Sequence, residues 1–284
     1  MPMSLGLAVT NMWTPGATSG AGAINNFAVG GAFTGTLGPF ANSNDFNPLS
    51  AVYPPGTTPL PGLQQQVDKF VASTPSPDSD AWYVLWAGAN DLIFADGFGV
   101  DPDFEPFLDG AVMNIRGAIE ELADNDAAQF LVPNLPDLGA TPFALATGLS
   151  GVLSNGTDLF NEKLAAMLAD VAAALALDIT LLDLHTIFDQ LLADPAAAGF
   201  PGAGASPFGP GIGPCFDQDT PQFFCDLTAD DPNDNIFWDL VHPSSRTHGV
   251  IADAVLAAKV PEPTTIVLLG LGLAGLGFRR RNSH

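Results

Sequence analysis

The segment around residues 237–243 holds the pair of residues whose types and spacing are best suited to chemistry. Asp239 precedes His242 by three residues, so one tight turn can bring the carboxylate to the imidazole ring. A carboxylate in that position orients the ring and stabilises its protonated form, which leaves the other ring nitrogen able to act as a base. The spacing therefore predicts an acid–base pair at this point of the chain.

Two further positions could supply donors to a negative charge that develops during a reaction. Asn90 lies in the sequence GAND, and Gly31 ends the sequence NFAVGG. A side-chain amide and a backbone N–H are neutral donors of the kind that stabilise an oxyanion, and a glycine lets a substrate approach the backbone closely. Asn90 and the backbone N–H near Gly31 are therefore candidate donors to an oxyanion.

These residues need secondary-structure elements that bring them together, and the hydrophobic pattern predicts alternating strands and helices. Strands are predicted over 26–29, 82–86, 129–132 and 179–182, helices over 63–72, 104–123, 157–175, 185–192 and 244–258, and long loops over 42–61 and 194–235. Strands separated by helices form a parallel sheet with helices on both faces. In such folds the active groups lie at the carboxyl ends of the strands.

These segments resemble the SGNH, or GDSL, hydrolase superfamily of esterases and lipases. The motifs that carry the resemblance are, in chain order, NFAVGGA, GAND, NLPDLGATP and FWDLVHP, and it covers about residues 5–259. It implies a flavodoxin-like, three-layer α/β fold with sheet order 2-1-3-4-5. It also implies that Asp239 and His242 are the acid and base of a triad, that Gly31 and Asn90 form the oxyanion hole, and that no metal or cofactor is required.

The end of the chain, residues 260–284, differs in character from the rest. Val-Pro-Glu-Pro is followed by an apolar run over 266–278 and then by Arg279, Arg280 and Arg281. The run is short for a membrane-spanning helix, which needs about 20 residues. The three parts resemble the PEP-CTERM sorting signal of Gram-negative bacteria. That resemblance implies transient membrane insertion through 266–278, removal by a protease of the exosortase type, and delivery to the cell surface or extracellular matrix.

Two features that the resemblances imply are missing from the 284 residues. The Gly-Asp-Ser motif that carries the nucleophilic serine is absent, and residues 1–22 have neither the basic start nor the apolar core of an export signal. Ser4 has no strand before it, and Ser19 lies in a Gly-rich loop, so neither is expected to replace that serine. We expect the fold to lack its first, central strand. One hypothesis accounts for the absence of the serine motif, the export signal and the first strand: a segment upstream of Met1 has been cut away by a mis-set start codon.

The charge of the chain restricts its partners. The sequence has 31 Asp and Glu residues against 8 Lys and Arg residues, a formal net charge of −23. Such a surface repels a phosphate backbone, so we expect no nucleic-acid binding. We interpret the acidity as solubility in a salty or extracellular medium, with attraction of cationic partners or calcium as the alternative. The acidic cluster over 217–234 lacks the ordered spacing of a calcium loop, which favours a solvated loop.

Cys215 and Cys225 lie ten residues apart in the second long loop. Two cysteines with no histidine nearby cannot complete a tetrahedral zinc site. In an exported protein we expect them to form a disulfide, with two free thiols as the alternative. We interpret His185 as a helix-start residue and His248 as a surface or packing residue.

The sequence therefore predicts a hydrolase-like domain over 1–259 and a sorting tail over 260–284. The expected function is that of an exported ester hydrolase, acting on a small-molecule, lipid or acyl-sugar ester. Because the serine is missing, we expect the 284 residues alone to have little activity. The alternatives are a non-catalytic surface or matrix protein on a hydrolase scaffold, and an inactive fragment.

Overall fold

The computed structural model of the protein describes residues 9–12, 24–29, 31–35, 61–74, 77–95, 105–204, 206–217 and 222–259. The strands are β1 (Val9–Asn11), β2 (Ile24–Asn26), β3 (Trp82–Val84), β4 (Gln129–Pro133), β5 (Asp178–Leu182), β6 (Phe216–Asp217) and β7 (Gln222–Phe223). The helices are α1 (Leu63–Ser73), α2 (Ala89–Ala95), α3 (Glu105–Asp124), α4 (Pro142–Thr147), α5 (Ser150–Leu175), α6 (Leu184–Ala193) and α7 (Ser245–Lys259). Short 3-10 helices lie at Leu138–Ala140 and Pro232–Asp234.

The largest sheet in the described part of the chain is parallel and has the order β3-β4-β5. Trp82 pairs with Gln129, which in turn pairs with Asp178, so the carboxyl ends of all three strands lie at one edge of the sheet. The predicted α/β class with a parallel sheet is confirmed. β1 and β2 form a second parallel pair, and no ladder between described residues joins that pair to β3.

Helices cover both faces of the three-stranded sheet, as predicted. Successive side chains of a strand point to opposite faces, and in β4 the side chain of Phe130 enters one hydrophobic cluster while that of Leu131 enters another. The first cluster is built with α1, α3 and α5, and the second with α6 and α7. The sheet is therefore the middle layer of three, and its carboxyl edge opens onto the loops described below.

The helix pair of α3 and α5 supplies most of the first cluster. α3 buries Leu108, Ile115 and Ile119 at the spacing of one helical face. α5 buries Phe160 and Leu164 against it. Each such side chain contributes roughly 1.5–3 kcal/mol by burial, so this pair is a stable support for the elements that carry the candidate site.

Two predicted elements begin elsewhere than expected, and one helix was not predicted. The strand predicted over 26–29 lies at Ile24–Asn26, and residues 27–29 have no strand pairing. The helix predicted to begin at 157 begins at Ser150 and includes Gly156, against which Leu92 of α2 packs closely. The short helix α2 was not predicted, so Asn90 lies in a helix rather than in a loop.

Several predictions fall on parts of the chain that the structure does not describe. They concern Ser4, Ser19, the first long loop except Pro61, and the tail over 260–284 with its apolar run. Among the helices of the described residues, none combines the length and the apolarity that crossing a bilayer requires.

Candidate functional site

The turn from Asp239 to His242 joins the second long loop to α7. Asp239 Oδ1 accepts hydrogen bonds from the backbone N–H groups of Val241 at 2.9 Å and His242 at 2.7 Å. Its other oxygen, Oδ2, lies 2.7 Å from Nδ1 of His242. The carboxylate therefore closes the turn and orients the imidazole ring at the same time, and the structure brings these two residues together.

The two members of this pair lie in different environments. Asp239 is buried, with 6% of its surface exposed, whereas the side chain of His242 is 66% exposed. The hydrogen bond that the His242 ring makes to Asp239 raises the pKa of His242 above its ordinary value, although partial burial of the ring acts against it. Because Nδ1 is engaged by the carboxylate, Nε2 is the ring nitrogen left for proton transfer.

The pKa of Asp239 moves in the opposite direction. Burial is the largest influence and acts to raise it, but the hydrogen bonds from the His242 ring and from the backbone N–H groups of His242 and Val241 together hold it below its ordinary value. The pair therefore consists of an ionised carboxylate and a ring of increased basicity. That combination is suited to general-base catalysis.

Backbone contacts anchor the turn on both sides. The N–H of Trp238 donates to the carbonyl oxygen of His242 at 2.8 Å, and Phe237 forms an isolated antiparallel bridge with Pro243. The N–H of Phe143, in the first turn of α4, donates to the carbonyl oxygen of Leu240 at 2.8 Å. The position of His242 is therefore tied to the segment that follows β4 as well as to its own hairpin.

Asn90 lies in the first turn of α2, which residues 85–88 connect to the carboxyl end of β3. Its Nδ2 donates to the carbonyl oxygen of Ala32 at 3.0 Å. Ala32 follows Gly31, whose φ of 75° lies in the left-handed region that favours glycine. An amide NH₂ group carries two hydrogens, so one N–H of Asn90 remains after this bond. The structure thus brings Asn90 to the Gly31 turn.

The pairs Gly31–Asn90 and Asp239–His242 are not joined to each other by any hydrogen bond between described residues. Asn90 comes after β3, and the turn with Asp239 and His242 is bonded through Leu240 to α4, which comes after β4. Their roles in catalysis therefore remain predictions at this point.

Gly88 allows the chain to pass directly from β3 into α2. Its φ is 115°, and a Cβ at this position would collide with the ring of Phe160. Its carbonyl oxygen accepts the first hydrogen bond of α2, from Leu92 at 3.2 Å. The glycine of the GAND sequence is therefore required by backbone conformation and by the close packing of α5.

Asp91 is a buried carboxyl group beside the candidate site. The sequence alone did not indicate its hydrogen-bond partner, Thr34. Thr34 lies 57 residues earlier, and its Oγ1 donates to Asp91 Oδ1 at 2.7 Å while its N–H donates to Oδ2 at 3.1 Å. Burial raises the pKa of Asp91 to about 7, although the hydrogen bonds from Thr34 act to lower it. The pKa of Asp91 therefore lies far above the ordinary value of an Asp carboxyl group.

The other two histidines of the described residues have separate surroundings. The ring nitrogens of His185, at the start of α6, lie 3.3 Å from Asp158 and 3.4 Å from Asp189, so this side chain connects α5 with α6. His248 lies one turn into α7 on the exposed surface. Burial, together with the charge of nearby His242, lowers its pKa.

Cys215 and Cys225 are joined by a disulfide across the β6–β7 hairpin. The N–H groups of Cys215 and Phe216 both donate to the carbonyl oxygen of Trp238, at 2.9 and 3.0 Å. The closed hairpin is therefore attached to the residue just before Asp239. Within the described ranges, no group of three or more His, Cys, Asp or Glu side chains is arranged to hold a metal ion.

Comparisons with known proteins match both parts of the chain. The family model described as GDSL-like lipase/acylhydrolase matches residues 4–255, and the one described as PEP-CTERM protein-sorting motif matches residues 259–281. A Pseudomonas putida protein, named as an uncharacterized protein in the trpE-trpG intergenic region, is 29% identical over 235 residues, which are 81% of this chain and 36% of that protein.

The chain is also similar to plant proteins and to a solved structure. A GDSL esterase/lipase of Arabidopsis thaliana is 26% identical over 64% of this chain and 53% of its own length. The chain thus spans between about a third and about a half of the curated relatives it matches. A crystal structure of an acetyl xylan esterase superposes with a TM-score of 0.40 and 14% identity, over 70% of this chain and 76% of that one.

Proposed function

Because this chain belongs to the GDSL-like lipase/acylhydrolase family, we propose that it acts as an exported serine ester hydrolase whose nucleophilic serine is not among the 284 residues. The observation that carries the proposal is the bond of 2.7 Å between Asp239 Oδ2 and His242 Nδ1. It gives an exposed imidazole a fixed orientation and a raised pKa. Those are the properties that a general base in acyl transfer requires.

In the proposed reaction, Nε2 of His242 removes the proton from a serine hydroxyl as that oxygen attacks the ester carbonyl. The tetrahedral intermediate collapses when the protonated ring gives its proton to the departing alcohol, which leaves an acyl-serine. A water molecule, deprotonated by the same nitrogen, then attacks the acyl-serine. The ring returns that proton to the departing serine oxygen, which releases the acid and the free serine. Asp239 stabilises the protonated ring in both halves of the reaction and keeps its own charge.

The oxyanion of the tetrahedral intermediate is proposed to lie at the Gly31 turn. The backbone N–H of Gly31 and the remaining N–H of Asn90 would donate to it. The bond from Asn90 to Ala32, at 3.0 Å, supports this assignment because it holds the side-chain amide against that turn. Loss of one such donor typically lowers kcat by a factor of about 10²–10³.

The nucleophile is the part of the proposal that lies outside the 284 residues. They contain no Gly-Asp-Ser motif, so the proposed reaction requires a serine that these residues do not include. The absence of the motif also favours a second candidate, a non-catalytic surface protein that uses the same scaffold for binding.

Export is supported by the sorting motif at residues 259–281. In the proposed arrangement the hydrolase-like domain occupies 1–259, and the tail over 260–284 is inserted in the inner membrane and removed by an exosortase-type protease. The disulfide between Cys215 and Cys225 agrees with an oxidising destination.

The test compares the 284-residue chain with a protein extended by the in-frame upstream codons, using p-nitrophenyl acetate and butyrate. We expect turnover by the extended protein, covalent labelling of its serine by a fluorophosphonate, and near-background rates for the shorter chain. In the extended protein, His242→Ala should lower kcat by about 10⁴-fold or more. The matched control is His185→Ala, because the His185 ring lies near Asp158 and Asp189 instead.

Two results would count against the proposal. Full activity in the His242→Ala variant would remove the proposed base. An in-frame stop codon upstream of Met1, with no Gly-Asp-Ser motif and no labelling, would favour the non-catalytic surface protein instead.

A further inference from the structure

The proposed oxyanion hole is made of two segments of the chain that lie far apart in sequence. Asn90 and the carbonyl oxygen it binds, that of Ala32, are 58 residues apart. A donor must be placed close to its productive position, because a displacement of about 1 Å can cost two orders of magnitude in rate. An oxyanion hole of this kind therefore needs a contact that holds residues 31–35 against α2.

Two consecutive residues of α2 provide such a contact at two points. Asn90 binds the segment at its start, through Ala32, at 3.0 Å. Asp91 binds it near its end, where it accepts the Thr34 hydroxyl at 2.7 Å and the Thr34 N–H at 3.1 Å. Two separated points of attachment prevent the segment from rotating about either one, and Gly31 lies immediately beside the first.

We propose that Asp91 is a positioning residue of this site: its carboxyl group clamps Thr34 to α2, so that the Gly31 N–H and the side chain of Asn90 face the same oxyanion. The inference rests on the proposed function, because it assigns a purpose to the proposed oxyanion donors. Asp91 does not touch the substrate in this scheme. It acts through the backbone of residues 31–35 and through its neighbour Asn90.

The surroundings of Thr34 support a clamp. Thr34 is 1% exposed and Asp91 is fully buried. From the opposite side, Asn114 of α3 donates its side-chain N–H to Thr34 Oγ1 at 3.3 Å. The next residue, Gly35, lies so close to the Asn114 side chain that a Cβ would be 2.6 Å from its nitrogen. Thr34 is therefore held between α2 and α3.

The choice of a carboxyl group at this position also needs an explanation. Burial raises the pKa of Asp91 to about 7, which means that its charged form is costly here. An apolar side chain would fill the space without that cost, but it would leave the Thr34 N–H unpaired. α2 has only seven residues, and a helix that short depends on tertiary contacts for its position. A strong acceptor at Asp91 supplies one.

The test measures the mobility of the Gly31 turn directly, in the 284-residue chain, by ¹⁵N relaxation. In Asp91→Leu, which removes both bonds, we expect the order parameters of Gly31 and Ala32 to fall from about 0.85, typical of a rigid backbone, to below about 0.6. Thr34→Val, which removes only the hydroxyl, should also lower them. Asp91→Asn should not, because its amide can accept from the Thr34 N–H and donate to the Thr34 oxygen.

Thr157→Val is the matched control. Thr157 is equally buried, and its hydroxyl donates to Leu153 within α5 and accepts the N–H of Leu138 at 3.3 Å. Neither partner belongs to residues 31–35 or to α2, so loss of this hydroxyl should leave the Gly31 turn rigid. Unchanged order parameters in both Asp91→Leu and Thr34→Val would overturn the clamp, as would equal loosening in Thr157→Val. If Asp91→Leu does not fold, Thr34→Val decides the outcome.

Kinetics in the extended protein provide the second measurement. We expect Asp91→Leu and Thr34→Val to lower kcat by about 10-fold to 100-fold with KM unchanged, and Asp91→Asn to restore most of the rate. A loose turn with an unchanged kcat would refute the positioning role. An extended wild-type protein without any hydrolysis would refute the proposed function instead, since the relaxation measurements do not depend on turnover.

Discussion

Replacement of Asp91 by Asn should change how the stability of the protein depends on pH. Burial raises the pKa of this carboxyl from 3.8 to about 7 in the folded protein, whereas the unfolded chain keeps the ordinary value. Between these values the folded state binds a proton that the unfolded state has released, so the free energy of unfolding falls as the pH rises. Each pKa unit corresponds to 1.36 kcal/mol, so the contribution of Asp91 should be about 4 kcal/mol lower at about pH 8 than at about pH 4.

Asn is a suitable replacement because the hydrogen bonds permit it. Thr34 presents one N–H at 3.1 Å and one hydroxyl at 2.7 Å to different oxygens of Asp91. The Asn amide can accept from the first and donate to the second, so the variant removes the ionisable group and keeps the contacts. All other titrations are shared by the two proteins and cancel in their difference.

The assay is urea unfolding of both proteins at a series of pH values. The free energy of unfolding of Asp91→Asn minus that of the wild type should rise by about 4 kcal/mol between about pH 4 and about pH 8. Asp253→Asn, at an exposed position of α7, is the control. A difference for Asp91→Asn that does not vary with pH would refute the reasoning, because it would mean that the buried carboxyl ionises as it does in water.

Three further predictions concern the site and its supports. Asp239→Asn should lower the pKa of His242, because the hydrogen bond that raises it loses its charged partner; an NMR titration of the ring that shows the wild-type pKa would contradict this. Gly88→Ala should lower the free energy of unfolding by about 2–5 kcal/mol, since φ is 115° and the new methyl group meets the Phe160 ring; wild-type urea stability would show that the turn can adapt. Cys215→Ser should cost about 2–3 kcal/mol for a short closed loop, and a reducing agent should destabilise the wild type but not this variant.

Much of the framework could be predicted because its signals are local. The helices over 63–73, 105–124 and 184–193 lie within one or two residues of their predicted bounds, since each has a periodic apolar face. The strands β4 and β5 were predicted from short apolar runs between helices. The resemblance to the hydrolase superfamily was carried by four short motifs, and the family match over residues 4–255 confirms it.

The parts that could not be predicted depend on contacts between distant residues. The first turns of α5 include Gly156, against which Leu92 of α2 packs closely, and no local pattern shows that contact. The strand expected over 26–29 lies earlier because its pairing with β1, rather than its own apolar residues, sets its position.

The sequence by itself predicted the contact between Asp239 and His242, because residues three apart can meet within one tight turn. The tertiary structure alone decided the surroundings of Asn90 and Asp91, because their partners Ala32 and Thr34 lie 58 and 57 residues away. Those distances are closed by the packing of α2 against α5 and of Thr34 against α3. The burial that raises the pKa of Asp91 is a product of the same packing, so it could not be read from the motif in which Asp91 stands.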